Sequence, residues 1–194
     1  MIKSKLIGDF ELLRDHCIKL RRNYNTYVQL YNEENRALLG EVAATFFSDV
    51  AEIMHRDWIL QACKLMDPAS TKRQGAVLEN ITVKLIDEQL EVCGSSNHKI
   101  RDLSRDLLEY GEKIKPARNK RIAHYDREHE VSNITLGITT EEELFGFLLN
   151  IQEYCDQVGI ALGIGPLDFS SSGCKGDVLD LLTYLRRKRI MRSE

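Results

Sequence analysis

"FELLRDHCIKLRRNYNTYVQLY", residues 10–31, places Phe10, Leu13, Cys17, Leu20, Tyr24, Tyr27 and Tyr31 at alternating spacings of three and four. That rhythm lays one apolar stripe along an α-helix, whereas a half-buried strand would alternate with a period of two. A helix with a single apolar stripe has to bury it against other elements, so the rest of the chain is read for its partners.

The next segment, 35–66, keeps a similar seam through Leu39, Ala43, Phe46, Val50, Ile53 and Leu60, while Leu38, Val42, Phe47, Met54, Trp58 and Ile59 cover other faces. A helix apolar on most sides is expected at the centre of a bundle. "MDP" ends it, because Pro68 lacks a backbone donor and biases Asp67 out of the helical region. Val77, Leu78, Ile81, Leu85 and Ile86 predict a third helix that stops near "CGSSN". A fourth runs from about Asn97 through Ile100, Leu103, Leu107 and Leu108 toward Gly111.

Further on, "TTEEELFGFLLNIQEYCDQV" opens with a capping box, Thr139 with Glu142 or Thr140 with Glu143, before its apolar run. "REHEVSNITLGI" reads as polar and irregular, with "ITLGI" a short extended piece. The glycine- and serine-rich "GIALGIGPLDFSSSGCKGD" is a loop ahead of a last helix from about Asp177 to Lys188. The chain predicts an all-α bundle of six to seven helices in one domain, 1–194, with no sheet.

Composition narrows the function. Hydrophobic residues make up 43% and charged residues 29% of 194, as expected of a globular protein. With 27 basic against 30 acidic side chains there is no global cationic field, so a nucleic-acid site has to be a local patch. Cys17, Cys63, Cys93, Cys155 and Cys174 include no C-x-x-C pair, which signals neither zinc nor a disulfide framework and suits a reducing cytoplasm. The N-terminal "MIKSKLIGDFELLRDH" turns acidic before an apolar signal core develops, and no membrane-length apolar run follows. A cytoplasmic location without a membrane partner is expected.

One local patch stands out. "KIKPARNKRIAHYD", residues 113–126, gathers Lys113, Lys115, Arg118, Lys120 and Arg121 beside His124. Pro116 suits a first helical turn, so "PARNKRIAHYD" is read as a new or sharply kinked helix. A charge run is ordinarily a solvated helix face. Yet a histidine that titrates near neutral pH and an arginine that keeps its charge are the minimal equipment for cleaving RNA without metal. The first moves a proton at the 2′-hydroxyl or leaving oxygen, and the second faces the phosphorane charge. Arg118 and His124, six residues apart, lie about 120° apart on an ideal helix, which separates them within one chain. Asp57 falls where the seam of the second helix expects an apolar residue, and is a candidate charge partner for the "RNKR" cations.

Other motifs carry less. The glycine-rich loop lacks the G-x-x-x-x-G-K-[ST] pattern and a preceding strand. In "HYDREH", His124, Asp126 and His129 match no zinc spacing, and the C-terminal Arg186, Arg187, Lys188, Arg189 and Arg192 suit a solvated helix end. No metal and no organic cofactor is expected.

"ARNKRIAHYD" resembles the signature of the HEPN superfamily, an Arg followed after four to six residues by a His, often with a polar residue directly after the Arg. Arg118, Asn119 and His124 match it with five residues between Arg and His. With the preceding "FFSDVAEIMHRDWILQACKLMDP", the text is similar to the abortive-infection AbiU-type branch, over about residues 35–130 as the core and with 131–194 as a C-terminal helical extension. The resemblance implies a HEPN-like helical bundle that dimerises through the helix carrying the Arg/His motif, so that an arginine of one subunit serves a histidine of the other. It also implies an RNA-binding protein, either a metal-independent endoribonuclease of phage-defence or toxin–antitoxin systems, with an antitoxin or defence partner, or a non-catalytic interaction module. On this reading Arg118, Asn119 and His124 form the catalytic set, and Lys113, Lys115, Lys120 and Arg121 hold the RNA backbone. A tyrosine modified in one toxin branch stands two residues after the histidine; that position here is Asp126, and Tyr125 is one residue after.

Overall fold

The computed structural model describes residues 2–119, 139–170 and 173–190. Helix α1 spans Ile2–Leu30 and buries the first part of the expected stripe, Phe10, Leu13, Cys17 and Leu20, together with Leu6, while Tyr24, Tyr27 and Tyr31 are half-buried. Helix α2, Glu33–Leu65, starts at Asn32, whose side chain accepts from the Asn35 N–H at 2.9 Å. The capping oxygen satisfies one of the first-turn donors.

Helix α2 departs from its expected central place. It is broken at Ala43, where the backbone opens to φ −165° and ψ 74°. The break resets the helical phase. Counting the seam through Ala43 lands on Phe46 and Ile53, yet these are 61% and 64% exposed, and the inward line runs instead through Phe47, Trp58, Ala62 and Leu65. The same segment that reads as apolar on most sides therefore keeps one apolar line outside. Met66 closes α2, its N–H reaching the Cys63 carbonyl at 3.1 Å and that of Asp67 the Lys64 carbonyl at 3.5 Å, before Pro68.

A hairpin stands where the third helix was expected to begin. Strands β1, Ser70–Arg73, and β2, Ala76–Glu79, pair antiparallel with Ser70 opposite Glu79 and Arg73 opposite Ala76. Gln74 and Gly75 both adopt positive φ, 50° and 83°, as a two-residue turn compatible with strand twist requires. Val77 and Leu78 thus lie exposed in β2. A short apolar run does not by itself separate strand from helix. Helix α3 is confined to Val83–Val92, with Thr82 as its cap accepting from Leu85 at 3.2 Å.

Helix α4, His98–Ala117, begins after Asn97 as expected, with Asn97 as its cap, but does not end at Gly111. No new helix starts at Pro116. The proline sits inside α4, withdrawing the bond residue 116 would give to the Glu112 carbonyl, and the chain continues in a wider π-type turn at Arg118 and Asn119. Helix α5, Glu141–Leu162, carries the capping box in its Thr140–Glu143 form, with reciprocal bonds of 3.1 and 2.9 Å. It ends on Gly163 in the left-handed region, φ 79°. Helix α6 is Val178–Ile190. The "ITLGI" stretch lies outside the described residues.

The main core joins α1, the second half of α2, α3, α4 and α5, and a smaller cluster joins Leu30, Leu38, Leu39 and Phe47 to Val178 and Leu182 of α6. Among the described residues this is an all-α bundle of six helices with one small hairpin. A polar node crosses the core: Asp87 of α3 accepts from Tyr154 Oη at 2.8 Å and from Ser104 Oγ, tying α5 and α4 together. Burial pushes its carboxyl above the usual range, against both hydrogen bonds. The glycine-rich loop is structural, since Gly165 O would lie 2.8 Å from a Cβ at Gly159, and Gln152 and Asp156 hold the backbone N–H groups of Phe169 and Leu167.

Where α4 crosses the end of α2, a Cβ on Gly111 would stand 2.7 Å from Met66 Sδ and 2.9 Å from Met66 Cβ. Gly8, on the exposed side of α1, faces open space. Helix propensity favours alanine at both. The structure predicts that Gly8→Ala gains about 0.5–1 kcal/mol, while Gly111→Ala loses about 1–2 kcal/mol through overpacking. Urea midpoints check the opposite signs.

Candidate functional site

The site grows from the junction of two helix ends. Arg118, just past α4, donates from Nη1 to Asp67 Oδ1 at 2.5 Å and from Nε to Asn119 Oδ1 at 3.0 Å. The Arg118 and Asp67 side chains are 19% and 32% exposed, whereas Lys113–Glu143 and Lys115–Glu112 keep every partner at 40% or more. Both helices present their C-terminal ends here, and the partial negative charge of those ends favours a cation. Arginine suits the position because its planar fork spends two donors on orientation and keeps Nη2 for another acceptor. Cys63 lies behind the pair. Burial pushes its thiol up to about 11, overcoming the opposite pull of Arg118, so it stays a protonated and unreactive core thiol.

The other candidates divide. Lys113 bonds Glu143 of α5, and Lys115 bonds Glu112 of its own helix at 2.9 Å. Lys113 sits about 140° round α4 from Arg118 on ideal geometry, so it addresses the α5 side and not the α2 junction. Asp57 accepts from Gln61 at 2.9 Å, eight residues before the end of α2, or about 12 Å along its axis. The carboxylate that holds Arg118 is Asp67. Lys120, Arg121 and His124 lie outside the described residues, as do Asp126 and His129 of "HYDREH". At the C-terminal helix Arg186 donates to Asn35 Oδ1 at 2.7 Å and so pins α6 to the start of α2.

Asp67 is the residue that sequence reasoning missed. It reads only as the acid of a Leu-x-Asp-like helix stop, Leu65-Met66-Asp67, with no role in the site assigned to it. Chemically, the junction offers a guanidinium held by Asp67 beside an amide, with Nη2 unpartnered among the described residues.

The all-α bundle of the described residues is consistent with the HEPN-like fold that the resemblance implies. The family model HEPN_AbiU2, described as AbiU2, matches residues 3–173. The chain belongs to that family. The match takes in α1 and α5 and extends beyond the 35–130 stretch that carries the resemblance. No curated protein and no solved structure matches the chain. Among the described residues no helix is long and apolar enough to cross a membrane.

Near Asp57, His16 of α1 faces Gln61 and Lys64 of α2; burial first, and Lys64 second, hold its imidazole below the ordinary range. An unfolded histidine near 6.5 then binds more protons than the folded one, so this contribution is complete above about pH 6.5 and is lost as pH falls through the depressed folded value. Urea midpoints should drop from pH 7.5 to pH 5, and His16→Gln should flatten that part of the profile.

Proposed function

We propose that this AbiU2-family domain is an RNA-binding protein that cleaves RNA without metal, in a phage-defence or toxin–antitoxin setting in the cytoplasm. The observation that carries the reading is Arg118, clamped by Asp67 and Asn119 at the end of α4, six residues before His124. A guanidinium held from two sides stays aimed at a phosphate without reorganising as charge develops. His124 acts as general acid or base at the 2′-hydroxyl and the leaving oxygen, Arg118 stabilises the phosphorane, and Asn119 orients its neighbours. Lys113, Lys115, Lys120 and Arg121 hold the backbone. Lys113 and Lys115 give up exposed carboxylates for phosphate oxygens, at little cost because such surface pairs are weak.

The active form in this reading is a homodimer, in which the second copy supplies the histidine that the 120° offset keeps from its own arginine. An antitoxin or defence-system protein is the further partner.

One observation favours a second reading. The Arg118–Asp67–Asn119 network is what a non-catalytic interaction module would use as a structural tie, with Asp67 in the place foreseen for Asp57.

Metal-free assays on the purified protein separate the two. His124→Ala should cut cleavage by about 10² to 10⁴-fold while RNA binding survives. Arg118→Lys should also lose activity at unchanged net charge, because the planar fork is gone. RNA affinity should fall with salt, at roughly 0.7 log units per log unit for each neutralised phosphate. Light scattering should report a dimer. If wild type shows no cleavage and His124→Ala only melts early or fails to dimerise, the structural tie is the better account.

A further inference from the structure

The geometry points to Asp67 as the positioning residue for Arg118: it fixes the guanidinium for the phosphate and, in doing so, weakens the site's hold on RNA. This deepens the ribonuclease reading and rests on it. Asp67 takes Nη1, and Asn119 takes Nε, so rotation of the fork is blocked from two edges while Nη2 has no partner among the described residues. The anchor is itself fixed. It follows Met66, whose backbone caps α2 and whose side chain is seated on Gly111, and Pro68 stiffens the other side. Asp67 therefore moves only with the bundle.

The same carboxylate lies beside the place a phosphate would occupy, and like charge disfavours the anion. Orientation and affinity are thus set against each other in one side chain. A purely structural residue would show no such opposition: its loss would weaken both binding and turnover through misfolding.

The test uses the purified protein and two RNAs, one cleavable and one with 2′-deoxy at the cut site for equilibrium binding. Asp67→Asn keeps the shape and removes the charge; Asp67→Glu keeps the charge and shifts it by one methylene. Asp67→Asn should lower kcat by about 10 to 10²-fold, the usual result of small misplacements in an active site. Its Kd for the deoxy RNA should tighten about two- to fivefold, the scale of a partly screened charge. Asp67→Glu should keep wild-type affinity and recover part of kcat. In an Arg118→Ala background Asp67→Asn should change neither quantity further, since it acts through the arginine.

Wild-type kcat in Asp67→Asn would overturn the inference while leaving the ribonuclease reading in place. So would parallel losses of kcat and affinity that persist without Arg118, the signature of a folding defect. If wild type binds but never cleaves, the ribonuclease reading falls and the affinity arm decides: no Arg118-dependent tightening overturns the inference. Wild type that neither binds nor cleaves overturns both.

Discussion

The seating of α4 on the end of α2 is the constraint on which the site depends. Gly111 has no side chain, and Met66 occupies the space a Cβ would need. Seven residues on an ideal helix is close to two whole turns, so Gly111 and Arg118 share one face of α4. The face that closes on Met66 is therefore the face that brings Arg118 to Asp67, the residue next to Met66. Ile114 and Ala117, between them, are buried as well. The catalytic assignment thus rests on a packing contact before it rests on charge.

Charge then sorts the cations by mobility. Arg118 is largely shielded and has a fixed partner, and breaking a shielded pair strands a charge at a cost well above that of an exposed one. Lys113 and Lys115 pair at the surface, where water and salt replace a lost partner cheaply. One group is built to stay and two are free to exchange. That division suits a site which must hold a reacting phosphate in one geometry yet accept a backbone of any sequence. On the proposed function, a chain with net charge −3 needs only a local cationic field to meet an anion.

Much of this was legible in the sequence, for identifiable reasons. The α1 stripe, the start of α4 near Asn97 and the capping box at Thr140 are local signals that tertiary packing left alone. The α2 seam misled because one residue, Ala43, leaves the helical region and shifts every inward position after it; no spacing rule sees a break without Gly or Pro. Val77 and Leu78 were drawn into a helix because Gln-Gly is a weaker turn signal than Asn-Gly, and the hairpin between β1 and β2 was lost with it. Pro116 reads as the start of a new or sharply kinked helix because proline favours first turns, but here α4 passes through it. Arg118 and Asn119 were found from the motif. Asp67 was hidden, since its role is set by a contact 51 residues away in sequence.

The central claim is that a composite site of Arg118 and His124 uses the RNA's own 2′-hydroxyl. The most direct measurement follows purified wild-type protein, in excess EDTA, on one RNA and on the same RNA with a single 2′-deoxy at the cut position. The account predicts cleavage of the first to a 2′,3′-cyclic phosphate and resistance of the second. Cleavage of the deoxy substrate, or loss of activity in EDTA, would contradict it.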